Sequence, residues 1–146
     1  MEDIKRILVV SGMTRDCRKA VHYGISLCEK YGAELYVVHV VYEPLIFGGW
    51  NLPMPSLEEE YKRTLKQAKK ELDAMIDLEK KKGVTIKELI KEGKPAEEIL
   101  MTVKEENIGL IIMLGHEEGH LEHFLFGRSN EEILRKMPCS ILIVKN

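Results

Sequence analysis

Five short apolar segments alternate with longer stretches of helical periodicity, and this alternation constrains the fold more than any other feature of the chain. The segments are Ile7–Val10, Leu35–Val41, Val84–Lys91, Leu110–Leu114 and Ser140–Val144. Four of them are nearly continuous apolar runs rich in Val, Ile and Leu. Such strands are buried on both faces, as in parallel sheets covered by helices. Val84–Lys91 is less apolar and is expected nearer a sheet edge. The order β-α-β-α-β-α-β-α-β implies a parallel sheet with helices on both faces, because each parallel pair needs a crossover. Ligands of open sheets bind beyond the carboxyl ends of strands, where the strand order reverses. The segments to inspect are therefore Ser11–Thr14, after the first strand, and Gly115–Ser129, after the fourth.

Local signals punctuate the helices. Thr14 is placed to cap the first, with Asp16 in its opening turn. Cys17, Ala20, Val21, Gly24, Leu27, Cys28 and Tyr31 fall near one face, and Gly32 stands where a left-handed C-terminal glycine belongs. Ser56-Leu57-Glu58-Glu59 forms a capping box. The helix it opens is expected to run to about Lys82, burying Leu57, Tyr61, Leu65, Ala68, Leu72, Met75 and Ile76, and to stop at Gly83. Its charged end, Glu79–Lys82, reads as a solvated helix terminus. Gly93-Lys94-Pro95 starts a third helix with proline near its first position; Ala96, Ile99, Leu100 and Val103 form its stripe. A fourth is expected from about Ser129 to Lys136, broken by Pro138. Tyr42–Pro55 carries Pro44, Gly48, Gly49, Pro53 and Pro55 beside Leu45, Ile46, Phe47, Trp50, Leu52 and Met54. Two readings stand for it: a lid or contact surface, or a loop packed on its own domain.

Composition narrows the function classes. The 146 residues hold 22 Lys+Arg against 24 Asp+Glu, a net charge of −2. That length suits one domain spanning residues 1–146. Near-neutral charge speaks against a nucleic-acid partner, which draws a strong basic excess. No apolar stretch is long enough for a transmembrane helix, so no membrane association is expected. The N-terminal run Ile7–Val10 is too short for a signal-peptide core. Three cysteines, Cys17, Cys28 and Cys139, without a CxxC pair make neither a disulfide framework nor a zinc site, and a cytoplasmic location is expected.

The segment Lys5–Val41 (KRILVVSGMTRDCRKAVHYGISLCEKYGAELYVVHVV), the run Glu92-Gly93-Lys94-Pro95 with Ile99, and Phe124–Val144 (FLFGRSNEEILRKMPCSILIV) together resemble the universal stress protein family. The last segment is the most specific. The resemblance covers nearly the whole chain. It implies a three-layer, Rossmann-like, adenine nucleotide alpha hydrolase-like α/β fold with a five-stranded parallel sheet in the order 3-2-1-4-5. It also implies a homodimer formed through the fifth strand, Ser140–Val144. That strand ends the chain almost without charge, and pairing with a second copy removes an apolar edge.

Many members of this family bind ATP, and the positions concerned depart here from the family pattern. An Asp often follows the first strand in the family; the matching residue is Gly12. The family's phosphate loop has the form Gly-x2-Gly-x9-Gly-Ser/Thr. Anchored on Gly127, the first two glycine positions fall on Leu114 and Glu117, and Arg128 takes the Ser/Thr position. Anchored on Gly115 and Ser129, Glu118 and Arg128 occupy the last two glycine positions. Glycines let backbone N–H groups approach a polyphosphate. A glutamate adds bulk and a like charge, screened less in a crevice than in water. Gly127, and Arg128-Ser129-Asn130 at an expected helix N-terminus, still favour an anion. The ligand-contact set is therefore Ser11, Gly12, Met13, Val40, Gly115, His116, Gly127, Arg128, Ser129 and Asn130. ATP or another phosphate-bearing ligand is the candidate occupant. A solvent-facing helix-start residue is the plain alternative for Arg128.

His116-Glu117-Glu118-Gly119-His120 matches H-E-x-x-H, and His123 adds a third imidazole. On a helix, His116 and His120 share one face suited to zinc, with Glu117 as base. Here the match follows a strand directly and contains Gly119, whereas a zincin needs it inside a helix. A solvated loop with a pH-dependent charge is the competing reading. His39, within the second strand, is expected to be a satisfied core histidine, and the three cysteines to be packing residues. Gly127-Arg128-Ser129 lacks the G-x-S-x-G pattern of a nucleophile elbow.

The chain is thus read as a homodimeric small-ligand-binding or regulatory module of the stress-response type. It is expected not to be an enzyme, nor to bind ATP in the usual family manner. An ATP-binding family member with slow or no hydrolysis is the alternative. A metal-dependent enzyme at His116 and His120 is a distant third.

Overall fold

In the computed structural model, the described residues are 3–11, 17–41, 55–79, 83–115 and 121–145; for 55–58, 61, 78–79 and 121–128 only the backbone is described. The elements are β1 (Arg6–Ser11), α1 (Cys17–Tyr31), β2 (Glu34–Val41), α2 (Pro55–Glu79), β3 (Ile86–Glu92), α3 (Pro95–Glu105), β4 (Leu110–Leu114), α4 (Leu121–Lys136) and β5 (Ser140–Val144). All pairings are parallel, and the sheet order is β3-β2-β1-β4-β5. This is the α/β sheet that the alternation implies, in the order that the resemblance implies.

Strand alternation divides the core into two layers. Ile7, Val9, Leu35, Val37, Ile112 and Leu114 point to one face, under α1 and α2. Leu8, Val10, Tyr36, Val38, Val40, Ile111 and Met113 point to the other, with Ala96, Ile99 and Val103 of α3 and Ile133 of α4. Each large aliphatic side chain buried this way contributes about 1.5–3 kcal/mol. β1, β2 and β4 are therefore apolar on both faces. β3 and β5 are the edges and stay partly exposed, which accounts for the charged residues of β3.

Two glycines carry geometry that disfavours a side chain. Gly32 ends α1 at φ +65°, as its position suggests. Gly24 lets α1 lie close to the sheet: an added Cβ would sit 2.8 Å from both Leu35 Cδ1 and Val9 Cγ2. Pro95 opens α3 at its first turn, with Glu97 and Glu98 complementing the dipole.

The start of α4 differs from expectation. It begins at Leu121 rather than near Ser129. Positions 121, 125, 129 and 133 recur at about one-turn spacing, and a glycine inside a helix costs only about 1 kcal/mol relative to alanine. Gly127 is therefore an interior residue and not a boundary. At the far end Met137 adopts φ +42° and its N–H bonds the Ile133 carbonyl at 2.9 Å, closing the helix before Pro138. Thr14, Asp16, the Tyr42–Met54 stretch and residues 80–82 lie outside the described residues. Among the described residues no helix is long and apolar enough to cross a membrane.

Candidate functional site

The chain leaves β1 for α1 on one face of the sheet and leaves β4 for α4 on the other. Between these neighbouring strands the crossovers diverge, and their carboxyl ends frame the switch-point crevice. Ser11, 3% exposed, ends β1. Leu114 and Gly115 end β4, and the Gly115 N–H donates to the Val144 carbonyl at 2.8 Å, tying β4 to β5 at this rim.

α4 supplies a wall. Asn130 Nδ2 donates to the main-chain oxygen of Leu114 at 3.1 Å. Beside it Ser129 is 5% exposed, one helical turn before the buried Ile133. The Ser129 Oγ is buried without a hydrogen-bond partner. Helical serines commonly return their hydroxyl to a carbonyl one turn earlier, and a buried polar group left unpaired costs about 1–3 kcal/mol. The Ser129 hydroxyl is thus a donor without a protein partner, next in the helix to the residue that contacts the end of β4.

The expected ligand set divides as follows. Ser11 ends β1 and Gly115 follows β4, while Asn130 reaches the Leu114 carbonyl at the end of β4 from α4, with Ser129 next to it in the helix. Val40, 4% exposed, lies at the carboxyl end of β2, where the neighbouring Val41 carbonyl accepts the Gly93 N–H at 3.0 Å. Gly12, Met13 and His116 lie outside the described residues, as does His120. Gly127, Arg128 and His123 are placed on the α4 backbone alone. The expectation that Arg128-Ser129-Asn130 open a helix is corrected. They lie inside α4, where backbone N–H groups are spent on carbonyls four residues back. Anion attraction by a helix N-terminus does not operate at these three residues.

Two contacts were not visible in the sequence. Lys19 Nζ donates to the Lys145 carbonyl at 2.7 Å, linking α1 to the end of β5 across 126 positions. His39 is buried, as expected of a core histidine, and its partner is the Ser11 carbonyl at 3.3 Å. Burial holds the His39 imidazole below its ordinary pKa, against the opposing pull of the Ser11 carbonyl and the Glu71 charge.

The cysteines suit packing rather than nucleophilic attack. Cys17 and Cys28 are buried. Burial pushes the Cys28 thiol up to about 11 and raises that of Cys139, so both stay protonated near neutral pH. Among the described residues no group of His, Cys, Asp and Glu is arranged to hold a metal; the His116/His120/His123 candidate lies outside those side chains. A depression lined by Lys66, Lys69, Lys70, Asp73 and Asp77 lies on the solvent side of α2, not at the strand ends.

A model of the universal stress protein family matches residues 3–145. Curated relatives include universal stress protein MJ0531 of Methanocaldococcus jannaschii, 28% identical over 97% of this chain and 82% of its own length. Another is the universal stress protein in the QAH/OAS sulfhydrylase 3′ region of Thermus aquaticus, 30% identical over 97% of this chain and 98% of its own. Among solved structures, that of hypothetical protein MJ0577 superposes with a TM-score of 0.81 at 23% identity, covering 99% of this chain and 98% of that one. Two further structures of this fold carry nucleotides. One is a universal stress protein in complex with cAMP (TM-score 0.61, 16% identity, 98% of each chain). The other is the universal stress protein from Archaeoglobus fulgidus in complex with dAMP (TM-score 0.61, 17% identity, 99% of this chain and all of that one).

Proposed function

The chain belongs to the universal stress protein family, and from that premise we propose that it is a binding or regulatory module, not a catalyst. Its ligand is a small phosphate-bearing molecule of lower charge than ATP, received between the carboxyl ends of β1 and β4. The observation that carries this reading is the buried, unpartnered Ser129 hydroxyl beside the Asn130–Leu114 contact. A ligand oxygen is what such a hydroxyl lacks.

Charge argues for the lower-charged ligand. Gly12 supplies no carboxylate for an adenosine, and Glu117 in one register or Glu118 in the other stands where the family's phosphate loop has a glycine. Coulomb repulsion scales with the charge of the anion, so a single phosphate is opposed less than a triphosphate. Two relatives of the same fold hold nucleotides with one phosphate, cAMP and dAMP. Arg128 then answers the phosphate with its forked guanidinium.

Calorimetric titration tests the reading with AMP, cAMP and Mg-ATP in parallel. Binding of a monophosphate at least tenfold tighter than Mg-ATP is expected. Mg-ATP binding at low micromolar concentration or tighter overturns it and favours the ATP-binding alternative. The same reading includes a homodimer through the β5 edge and a cytoplasmic setting. Ile143 of β5 is 49% exposed, and β5 has a strand on one side only among the described strands.

A further inference from the structure

His39 lies on β2 and faces the core layer between the sheet and the helices α1 and α2. It shares the face of Leu35 and Val37, beneath α1 and α2, and it is 3% exposed. Its Nδ1 sits 3.3 Å from the carbonyl of Ser11, its register partner on β1. A carbonyl only accepts, so Nδ1 carries the hydrogen and Nε2 is the nitrogen left to take up a proton.

The charged and titratable groups on this face come from each neighbouring element. β1 offers the Ser11 carbonyl and no ionisable side chain. β3 offers Glu88, between Ile86 and Ile90, which pack on the same core layer. α1 offers the buried Cys17. α2 offers Glu71, whose charge reaches His39 and whose Oε1 accepts from Gln67 Nε2 at 2.8 Å. Lys69 and Asp73 pair with each other at 3.5 Å further round α2. The Ser11 carbonyl and the Glu71 charge favour an imidazolium, and burial opposes them. Burial prevails, so His39 is held below its ordinary value and is neutral at pH 7.

A proton added to His39 must either place a cation in an apolar layer or bring the ring to water. On the sheet side, β1, β2 and β3 are joined by continuous parallel ladders. On the other, α2 is held by a stripe in which Ala68, Leu72 and Ile76 are buried.

We infer that His39 is a proton-operated tie, which holds α2 on the sheet when neutral and loosens α2 from it when protonated. The sign follows from linkage. The opened form, with an ordinary imidazole, binds more protons than the closed form, so closure is favoured above the ordinary imidazole pKa and weakens as the pH falls below it. Glu71 moderates the effect without reversing it.

Hydrogen exchange on the full chain tests this, comparing α2 amides at pH 7.5 and pH 5.5 after correction for the intrinsic exchange rate. One proton taken up at an ordinary imidazole pKa of about 6.5 in the open form alone lowers α2 protection about tenfold over this interval. Amides of β1 and β4 keep theirs. His39→Asn keeps an N–H donor for the Ser11 carbonyl but does not titrate, so it is expected to abolish the loss. Glu71→Gln, at an exposed site, is expected to leave the loss at least as large. The inference is overturned if α2 protection falls less than twofold, if β1 and β4 lose protection equally, or if His39→Asn shows the same loss. Should His39→Asn not fold, the wild-type imidazole followed by NMR decides: a midpoint below about 6.5 supports the tie, and one at or above it overturns it.

Discussion

The side-chain amide of Asn130 donates to the main-chain oxygen of Leu114 at 3.1 Å, fastening α4 to the last residue of β4. The contact joins the helix that carries Ser129 to the strand end that forms the crevice floor. Asn130→Ala removes the donor and leaves the Leu114 carbonyl, in a residue only 8% exposed, without it. The expected cost is about 1–2 kcal/mol, read as a lower urea midpoint at an unchanged slope. An unchanged midpoint would show that water replaces the amide at no cost.

Gly24 is required by packing. A Cβ there would stand 2.8 Å from Leu35 Cδ1 and from Val9 Cγ2, and both neighbours are fully buried. Overpacking costs about 1–3 kcal/mol, against about 1 kcal/mol that alanine returns through helix propensity. Gly24→Ala is expected to lower the Tm, and a raised Tm would show that α1 shifts outward without penalty.

Cys28 makes alkaline stability a test of core burial. Its thiol rises from an ordinary 9.0 to about 11 in the folded chain. A group raised on folding adds stability below its unfolded pKa and loses it as pH climbs through the folded value. Stability is therefore expected to fall between pH 9 and pH 11, and Cys28→Ala to flatten that slope after its own packing loss at neutral pH is subtracted. Native Cys28 is likewise expected to react with iodoacetamide at pH 8 about a hundredfold more slowly than an exposed cysteine, because its thiolate is that much scarcer.

The proposed homodimer places its interface on the β5 edge. Ile143 is 49% exposed on a strand whose other side is paired to β4. A lysine there blunts the edge without touching the two core layers. Sedimentation velocity at micromolar concentration is expected to give a dimer for the wild type and a monomer for Ile143→Lys. A monomeric wild type ends the dimer reading.

Most of the fold was legible because local patterning and tertiary burial agree. Leu8 and Val9 sit side by side in the sequence and face opposite layers, so an unbroken apolar run announces a central strand. Lys87 and Lys91 announce an edge. The start of α4 was not legible in the same way. Gly127 looks like a boundary residue, yet the helix runs through it from Leu121 to Lys136, since the local preference against glycine amounts to only about 1 kcal/mol.

The candidate site was half legible. The α/β class and the switch-point rule point to Ser11, Gly115 and Ser129 from the sequence alone, whereas Asn130 was singled out for a helix start that lies elsewhere. What each side chain does there was not predictable, since its partner is remote: Asn130 with Leu114 sixteen positions away, and His39 with Ser11 twenty-eight away.

The sequence by itself determined the layer architecture, the places of the strands and the buried face of the helices. Hydrophobic periodicity is a local property, and it states which side of an element leaves water. Only the tertiary structure decided which hydroxyl stays unpaired, which carbonyl His39 meets and how α4 is fastened to β4. Those outcomes depend on register and on the approach of elements distant in the chain. Burial raises the stakes at each such meeting, because a polar group withdrawn from water must find its partner in the protein or await one from outside.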